Sequence, residues 1–551
     1  MQASRNDGRV VVRRRAYLMA AMMAAVLLWF ATISNRPLYE PDEGRYAQVP
    51  KEMVDSGDWI TPRLNGIKFF DKPPLQYWAT ASAYTVFGPS EWTARAWSAM
   101  VGLFGVGMAW WAGKALYGRR EGMAAAWVLG GAPLWILGSN LTTTDIGVAS
   151  LLGSAVLVFA VARQTGNARL YPGIWLLLGL AFLAKGLIAV VLPAVTLLLY
   201  VVTTRQWRLL ADSRFWRWSP LAMLVALPWL IAVSQRNPEF LHYFFVQEHF
   251  ARFSSTVHAR NKPWWFFIAV VSAGMIPWLG VMWRAAIFRR QIEVEGRFDT
   301  TVFLSIWALV VLAFFSVSHS KLPLYILPML PPLAVLLGGR VLNASRRVLC
   351  AGFVAMALLG AGIALCLWRP EWSQSLLRKE VSDLSALQAW GFVSACALMA
   401  GGVMACRAVL VGRKSLAVAI AAVASLSGIQ AGLLASRAFE SLSVKEIGLK
   451  ARTLRTADTE LFNVGQIDRG LAFYSTMQPI VVQARGELDL GFTVEPERWV
   501  VDDAAFLRRW ATPGHKLAVM RSSTYATLKA GMSPGTAEVF RRGANVLVER
   551  R

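Results

Sequence analysis

Apolar runs of helical length recur from about Ala16 to Leu434, with the charged residues gathered between them. Such runs predict spanning helices rather than the weak alternation of a β-barrel. They lie at about Ala16–Ile33, Trp92–Ala115, Gly122–Leu137, Ile146–Ala162, Leu170–Val202, Pro220–Ser234 and Pro263–Trp283. They continue at Val302–Val317, Pro323–Gly339, Val348–Trp368, Leu387–Cys406 and Leu416–Leu434. The Leu170–Val202 run is interrupted by Lys185-Gly186. Reading it as two short tilted spans keeps Arg205, Arg208, Arg214 and Arg217 on the cytoplasmic side. The total is then about thirteen spans. From Ala435 onward the pattern changes. TELFNVGQ, PIVVQAR, HKLAVMR and NVLVER alternate as strands do, with helical patches between them. The expectation is an all-α polytopic membrane domain over residues 1–434 and a soluble C-terminal α/β domain over residues 435–551.

Composition agrees: of 551 residues, 56% are hydrophobic, above the 45–50% typical of soluble domains. The 24 Trp fit membrane interfaces. The net charge of +24 would suggest nucleic acid in a soluble protein. Here much of it lies in short loops and follows the positive-inside rule, with anionic membrane lipids as the partner of the rest. Cys350, Cys366, Cys396 and Cys406 lie in or beside apolar runs without CxxC spacing, so neither a disulfide nor a cysteine metal site is expected. Arg13, Arg14 and Arg15 precede the first run, with no cleavage site after it. The N-terminus is therefore read as cytoplasmic, the first run as a signal anchor, and the C-terminal domain as lying outside the cell membrane.

This topology collects chemistry on the outer face. The loops at residues 34–91 and 235–262, with short turns, carry Asp42, Glu43, Arg45, Tyr46, Asp71, Lys72, Asp145, Lys185, Glu248, His249, Arg252, Lys321 and Tyr325. Each has an ordinary reading. Asp42 or Asp145 can cap a helix, Lys185 can snorkel, and a lone His is more often packed than liganding. Together, carboxylates beside several Lys and Arg suit a phosphate-bearing substrate. GxxxxGK[ST], GxGxxG and HExxH are absent from the sequence, which leaves nucleotide handling unsupported.

The stretch PDEGRYAQVPKEMVDSGDWITPRLNGIKFFDKPPLQYW, from Pro41 to Trp78, resembles the first outer loop of integral-membrane glycosyltransferases of GT-C type. That group includes the protein O-mannosyltransferases and the bacterial lipid A aminoarabinose transferases. The lone Asp145, the A-K-G at Ala184–Gly186, Glu248-His249 with Arg252-Phe253, and S-K-L-P-x-Y-I-L-P at Ser320–Pro328 are similar too. The last two runs resemble the arabinosyltransferase branch. One departure is Asp71, where relatives often carry Glu. The resemblance implies undecaprenyl phosphate-4-amino-4-deoxy-L-arabinose as donor and lipid A phosphate as acceptor. It also implies transfer at the periplasmic face of the bacterial inner membrane, and polymyxin resistance.

On this reading Asp42, Glu43 and Asp145 are the candidate catalytic or sugar-positioning carboxylates. Lys72, Arg45, Tyr46, Arg252, Lys321 and Tyr325 are the candidates for donor phosphate, and Asp71, Lys185, Glu248 and His249 are further site candidates. Nothing in the sequence requires a cofactor. A divalent metal is compatible, with Asp71 and His249 as its candidate ligands, though no ligand spacing demands it. Three alternatives stay open: Ser/Thr O-glycosylation of protein, a lipid transporter or flippase, and a non-catalytic membrane scaffold, which gives no reason for the clustered bases. The second would want polar residues at mid-membrane rather than at one surface.

Overall fold

The computed structural model describes residues 22–251, 262–285, 298–369, 371–372, 381–439, 442–484 and 486–551. Among these, nine helices are long and apolar enough to cross a membrane, and two bent helix pairs bring the number to eleven. The start of the predicted first run, residues 16–21, lies outside the described residues; the rest of it, residues 22–33, is described and opens as helix.

The outer loop is itself folded. Helix α1 (Asp42–Ser56) follows Pro41 and ends at Gly57, whose φ of 73° suits a residue without Cβ. The two-stranded ribbon β1 (Arg63–Leu64) and β2 (Ile67–Lys68) comes next. The Glu52 carboxylate holds its tip, accepting from the N–H groups of Asn65 and Gly66 at 2.7 and 2.9 Å. Helix α2 (Leu75–Phe87) leads into the first long span, α3 (Glu91–Tyr117), whose N-terminus carries a Ser90–Thr93 capping box.

At the centre of the membrane domain is α4 (Thr144–Thr165), almost wholly buried. Its Gly147, Ser150, Gly153 and Ser154 let neighbours approach closely. A Cβ on Gly153 would lie 2.9 Å from Pro331. Helix α5 (Tyr171–Lys185) ends because Gly186 turns the backbone with φ 81°, and a separate helix, Ile188–Thr204, follows. The run is therefore two helices, and the second, Ile188–Thr204, is shorter than the helices counted as candidate spans. Two other runs expected as straight spans are bent. Arg119–Gly130 and Pro133–Asn140 meet at 62°, and Phe266–Gly274 and Ile276–Arg284 at 86°. Pro133 and Pro277 stand at these breaks, where a helix loses a backbone donor.

The C-terminal domain carries a six-stranded sheet. Its strands are β3 (Glu460–Val464), β4 (Ile480–Val482), β5 (Trp499–Val500), β6 (Lys516–Arg521), β7 (Thr536–Arg542) and β8 (Asn545–Arg550), in the order β5-β4-β3-β6-β8-β7. The first four are parallel; β7 and β8 form an antiparallel edge. The four predicted strands are present. The pattern missed β5, which is only two residues long, and β7, which has no fully buried residue and so shows little apolar alternation.

The domain packs onto the outer loop. Arg63 of β1 makes a bidentate pair with Glu495 at 2.9 and 3.0 Å. A Cβ on Gly491 would lie 2.2 Å from Ile67. Tyr46, Val49, Leu64, Ile67, Phe69 and Tyr77 share one apolar core with Val481, Leu488 and Phe492.

Candidate active site

The outer loop and the C-terminal domain meet around Arg45. Its guanidinium lies 2.8 Å from Asp42, 2.8 Å from Glu487 and 4.0 Å from Asp71. Its side chain is 7% exposed, whereas that of Asp42 is 45% exposed. Burial works against the Arg45 cation, but Glu487, and after it Asp42 and Asp71, outweigh burial and raise its pKa further. Arg45 is thus a permanent charge held between carboxylates, and Asp42 is the one of the three that faces solvent. Arg45 also lies over the rings of Tyr46 and Phe69, at 5.4 and 5.9 Å. Burial pushes the Tyr46 hydroxyl pKa up; Arg45 opposes that, while Asp42, Asp145 and Asp71 add to it. Tyr46 therefore stays a neutral hydrogen-bond donor within the field of all three aspartates.

Asp71 accepts from the Tyr243 hydroxyl at 2.9 Å, and the Lys72 ammonium donates to the Asp71 carbonyl at 2.6 Å. Asp145, in the first turn of α4, pairs with Lys185 at the end of α5. Lys185 also sits 4.2 Å above the Tyr325 ring. Asp145 is not the helix cap considered from sequence; Thr143 occupies that position. Lys321 donates to the Lys262 carbonyl at 2.9 Å. Glu248 and His249 fall at the end of the helical segment His242–Ala251, their side chains outside the described set. Arg252 lies outside the described residues. Among the described residues no group of three His, Cys, Asp or Glu side chains is placed to hold a metal.

Glu43 requires a correction. Expected beside Asp42 as a catalytic or sugar-binding carboxylate, it points the other way, into the protein. Arg36 reaches it at 2.5 and 3.0 Å and Arg95 at 2.8 and 2.9 Å. The N–H groups of Tyr39 and Thr142 add bonds at 3.1 and 3.2 Å. Burial alone would raise its pKa, but Arg36 and Arg95 hold it well below the ordinary carboxylate range. Glu43 is a structural anion tying α1 to α3 and to the turn before α4. The reason is helical geometry: neighbouring residues on a helix point about 100° apart, so only one of the two adjacent carboxylates faces solvent.

Residues 71–231 match the family model for dolichyl-phosphate-mannose-protein mannosyltransferases, and residues 448–550 match that for the aminoarabinose transferase C-terminal domain. An undecaprenyl phosphate-alpha-4-amino-4-deoxy-L-arabinose arabinosyl transferase from Yersinia enterocolitica is 30% identical over 403 residues, 68% of this chain and 71% of the relative. The chain belongs to this arabinosyl transferase family. The namesake from Pseudomonas aeruginosa (strain UCBPP-PA14) is 33% identical over a match spanning 64% of each chain. A crystal structure of ArnT from Cupriavidus metallidurans bound to undecaprenyl phosphate superposes with a TM-score of 0.87 at 30% identity, covering 97% of this chain and 98% of that one. The GT-C type membrane fold with a C-terminal sheet domain is therefore common to the transferase family and this chain.

Sequence reading missed Glu487, Arg36 and Arg95 as parts of this arrangement. Arg95 carried a signal: an arginine inside an apolar run needs a buried partner. Glu487 carried none, because only the fold brings it to Arg45.

Proposed function

We propose that the chain transfers 4-amino-4-deoxy-L-arabinose from undecaprenyl phosphate to lipid A phosphate groups at the periplasmic face of the inner membrane, and that this modification gives polymyxin resistance. The observation that carries the reading is the solvent-facing Asp42 fixed beside the buried Arg45, in a fold matched along nearly its whole length by a transferase bound to undecaprenyl phosphate.

In the reaction an oxygen of the lipid A phosphate bonds to the anomeric carbon as the bond from that carbon to the donor phosphate oxygen breaks. The electron pair leaves on undecaprenyl phosphate. The acceptor is already an anion, so no strong base is needed. Asp42 positions the sugar, its carboxylate pairing with the sugar ammonium. Lys72 and the neutral Tyr46 hydroxyl hold the donor phosphate and stabilise its charge as it leaves. Arg45, engaged by three carboxylates, contributes chiefly by holding Asp42 in place. Lys185 and Tyr325 keep Asp145 anchored at the rim.

No metal ion enters this reading. Asp71 already faces a guanidinium and a hydroxyl donor, which leaves little negative charge for a cation. An ion bridging Asp71 and His249 would instead make transfer sensitive to chelators. The deciding experiment incubates purified protein with the aminoarabinose donor and lipid A and looks for the added mass. A Ser/Thr peptide glycosylated in place of lipid A would favour the mannosyltransferase-like alternative, which the match over residues 71–231 keeps in view.

A further inference from the structure

Two residues before Asp42, the Glu40 side chain leaves its own domain. Its carboxylate accepts from the backbone N–H of Arg469 at 3.1 Å and of Gly470 at 2.6 Å, in the turn after β3. The Glu40 N–H in turn donates to the Leu442 carbonyl at 2.8 Å. Packing is close on both sides. A Cβ on Gly44 would lie 2.5 Å from a Glu40 oxygen and 2.6 Å from the Gly470 nitrogen, and a Cβ on Gly470 would lie 2.8 Å from the same oxygen. Only glycine at both positions permits the approach. The Arg469 side chain continues the path: its guanidinium pairs with Glu487, which pairs with Arg45, which pairs with Asp42. The circuit leaves the outer loop at Glu40 and returns to it at Asp42.

We propose that Glu40 is a positioning residue. By docking the 469–470 turn, it sets Arg469 and Glu487 so that Arg45 holds Asp42 in the orientation transfer requires. This rests on the assignment of Asp42 and Arg45 to the active site. The charged groups facing Glu40 are Asp468 and Arg469, both from the C-terminal domain. Burial first, and Asp468 second, push its carboxyl up to about 8; Arg469 and the two N–H groups oppose the shift. Because the docked state raises this pKa above its ordinary 4.5, docking takes up a proton. It is strongest at low pH and weakens as pH rises toward about 8.

The test uses the full-length protein in nanodiscs with two readouts, transfer kinetics and hydrogen exchange of residues 465–476 corrected for intrinsic rates, between pH 6 and 8.5. The wild type should lose protection and kcat together as pH rises. Glu40→Ala should expose the segment at every pH and lower kcat roughly tenfold, the equivalent of one ordinary hydrogen bond, with donor KM nearly unchanged. Glu40→Gln, which cannot ionise, should show a flat pH dependence in both readouts. Unchanged protection in Glu40→Ala, a wild-type pH slope in Glu40→Gln, or a loosened segment with full transfer would each overturn the proposal. Asp42→Asn is the separate control. If it transfers normally, the active-site assignment has failed, and the exchange data on Glu40 stand by themselves.

Discussion

Asp42 and Glu43 are adjacent carboxylates that should fail in opposite ways. Replacing Glu43 with Gln keeps the shape but removes the charge between Arg36 and Arg95, whose side chains are fully buried. Removing one partner of a buried ion pair costs about 3–5 kcal/mol, because the remaining charge cannot be resolvated. Here two guanidiniums are stranded, and the amide nitrogen cannot accept the bonds that the lost oxygen took from Arg36, Arg95 or the local N–H groups. A cost of even about 4 kcal/mol is a large part of the 5–15 kcal/mol that holds a typical domain together. Asp42→Asn, at a half-exposed position with a single ion pair, should change stability by about 1 kcal/mol or less. The assay heats detergent-solubilised protein and follows the monodisperse peak by fluorescence-detected size exclusion, then measures transfer on the surviving fraction. Glu43→Gln should be poorly recovered or melt far below the wild type. Asp42→Asn should melt normally yet fail to modify lipid A. A Glu43→Gln protein that melts like the wild type and has lost transfer would refute the structural role and restore Glu43 to the chemistry.

Lys72→Ala should weaken donor binding by roughly 1.5–3 kcal/mol, the worth of a charge-assisted contact to phosphate. Unchanged affinity, read by displacement of labelled undecaprenyl phosphate, would move that site elsewhere. Asp145→Asn should impair transfer and leave the Lys185 cation uncompensated; near-normal polymyxin protection in cells would show the pair to be dispensable. Accessibility tags placed before Arg13 and after Arg551 should report opposite sides of the membrane, and a common side would remove the topology on which the outer-face site rests.

Hydrophobic period made most of the membrane domain readable, because a lipid-exposed helix cannot hide its length. The break at Lys185-Gly186 was legible from charge and glycine together, and Gly186 does adopt the backbone that ends α5. The bends before Pro133 and Pro277 were visible as prolines but not as angles, since neighbouring helices decide how far a kink opens. At the site, residue types were legible and directions were not. Asp42 and Glu43 look equivalent in a string, and the buried Arg36 and Arg95 separate them. Arg63–Glu495 and Arg45–Glu487 join parts of the chain that only folding brings together, so no local pattern announces them.

The contact between β1, β2 and the C-terminal sheet bears on how this architecture can be recombined. Residues 40–68 supply Glu40 to the turn after β3, Arg63 to Glu495 and Ile67 to the space beside Gly491. They are therefore inherited, in effect, as part of the C-terminal module although they precede most of the spans. A chimera that exchanges only the segment after residue 435 would pair one relative's turn with another's loop. The workable graft is discontinuous, carrying residues 40–68 and the sheet domain together into a foreign helical bundle.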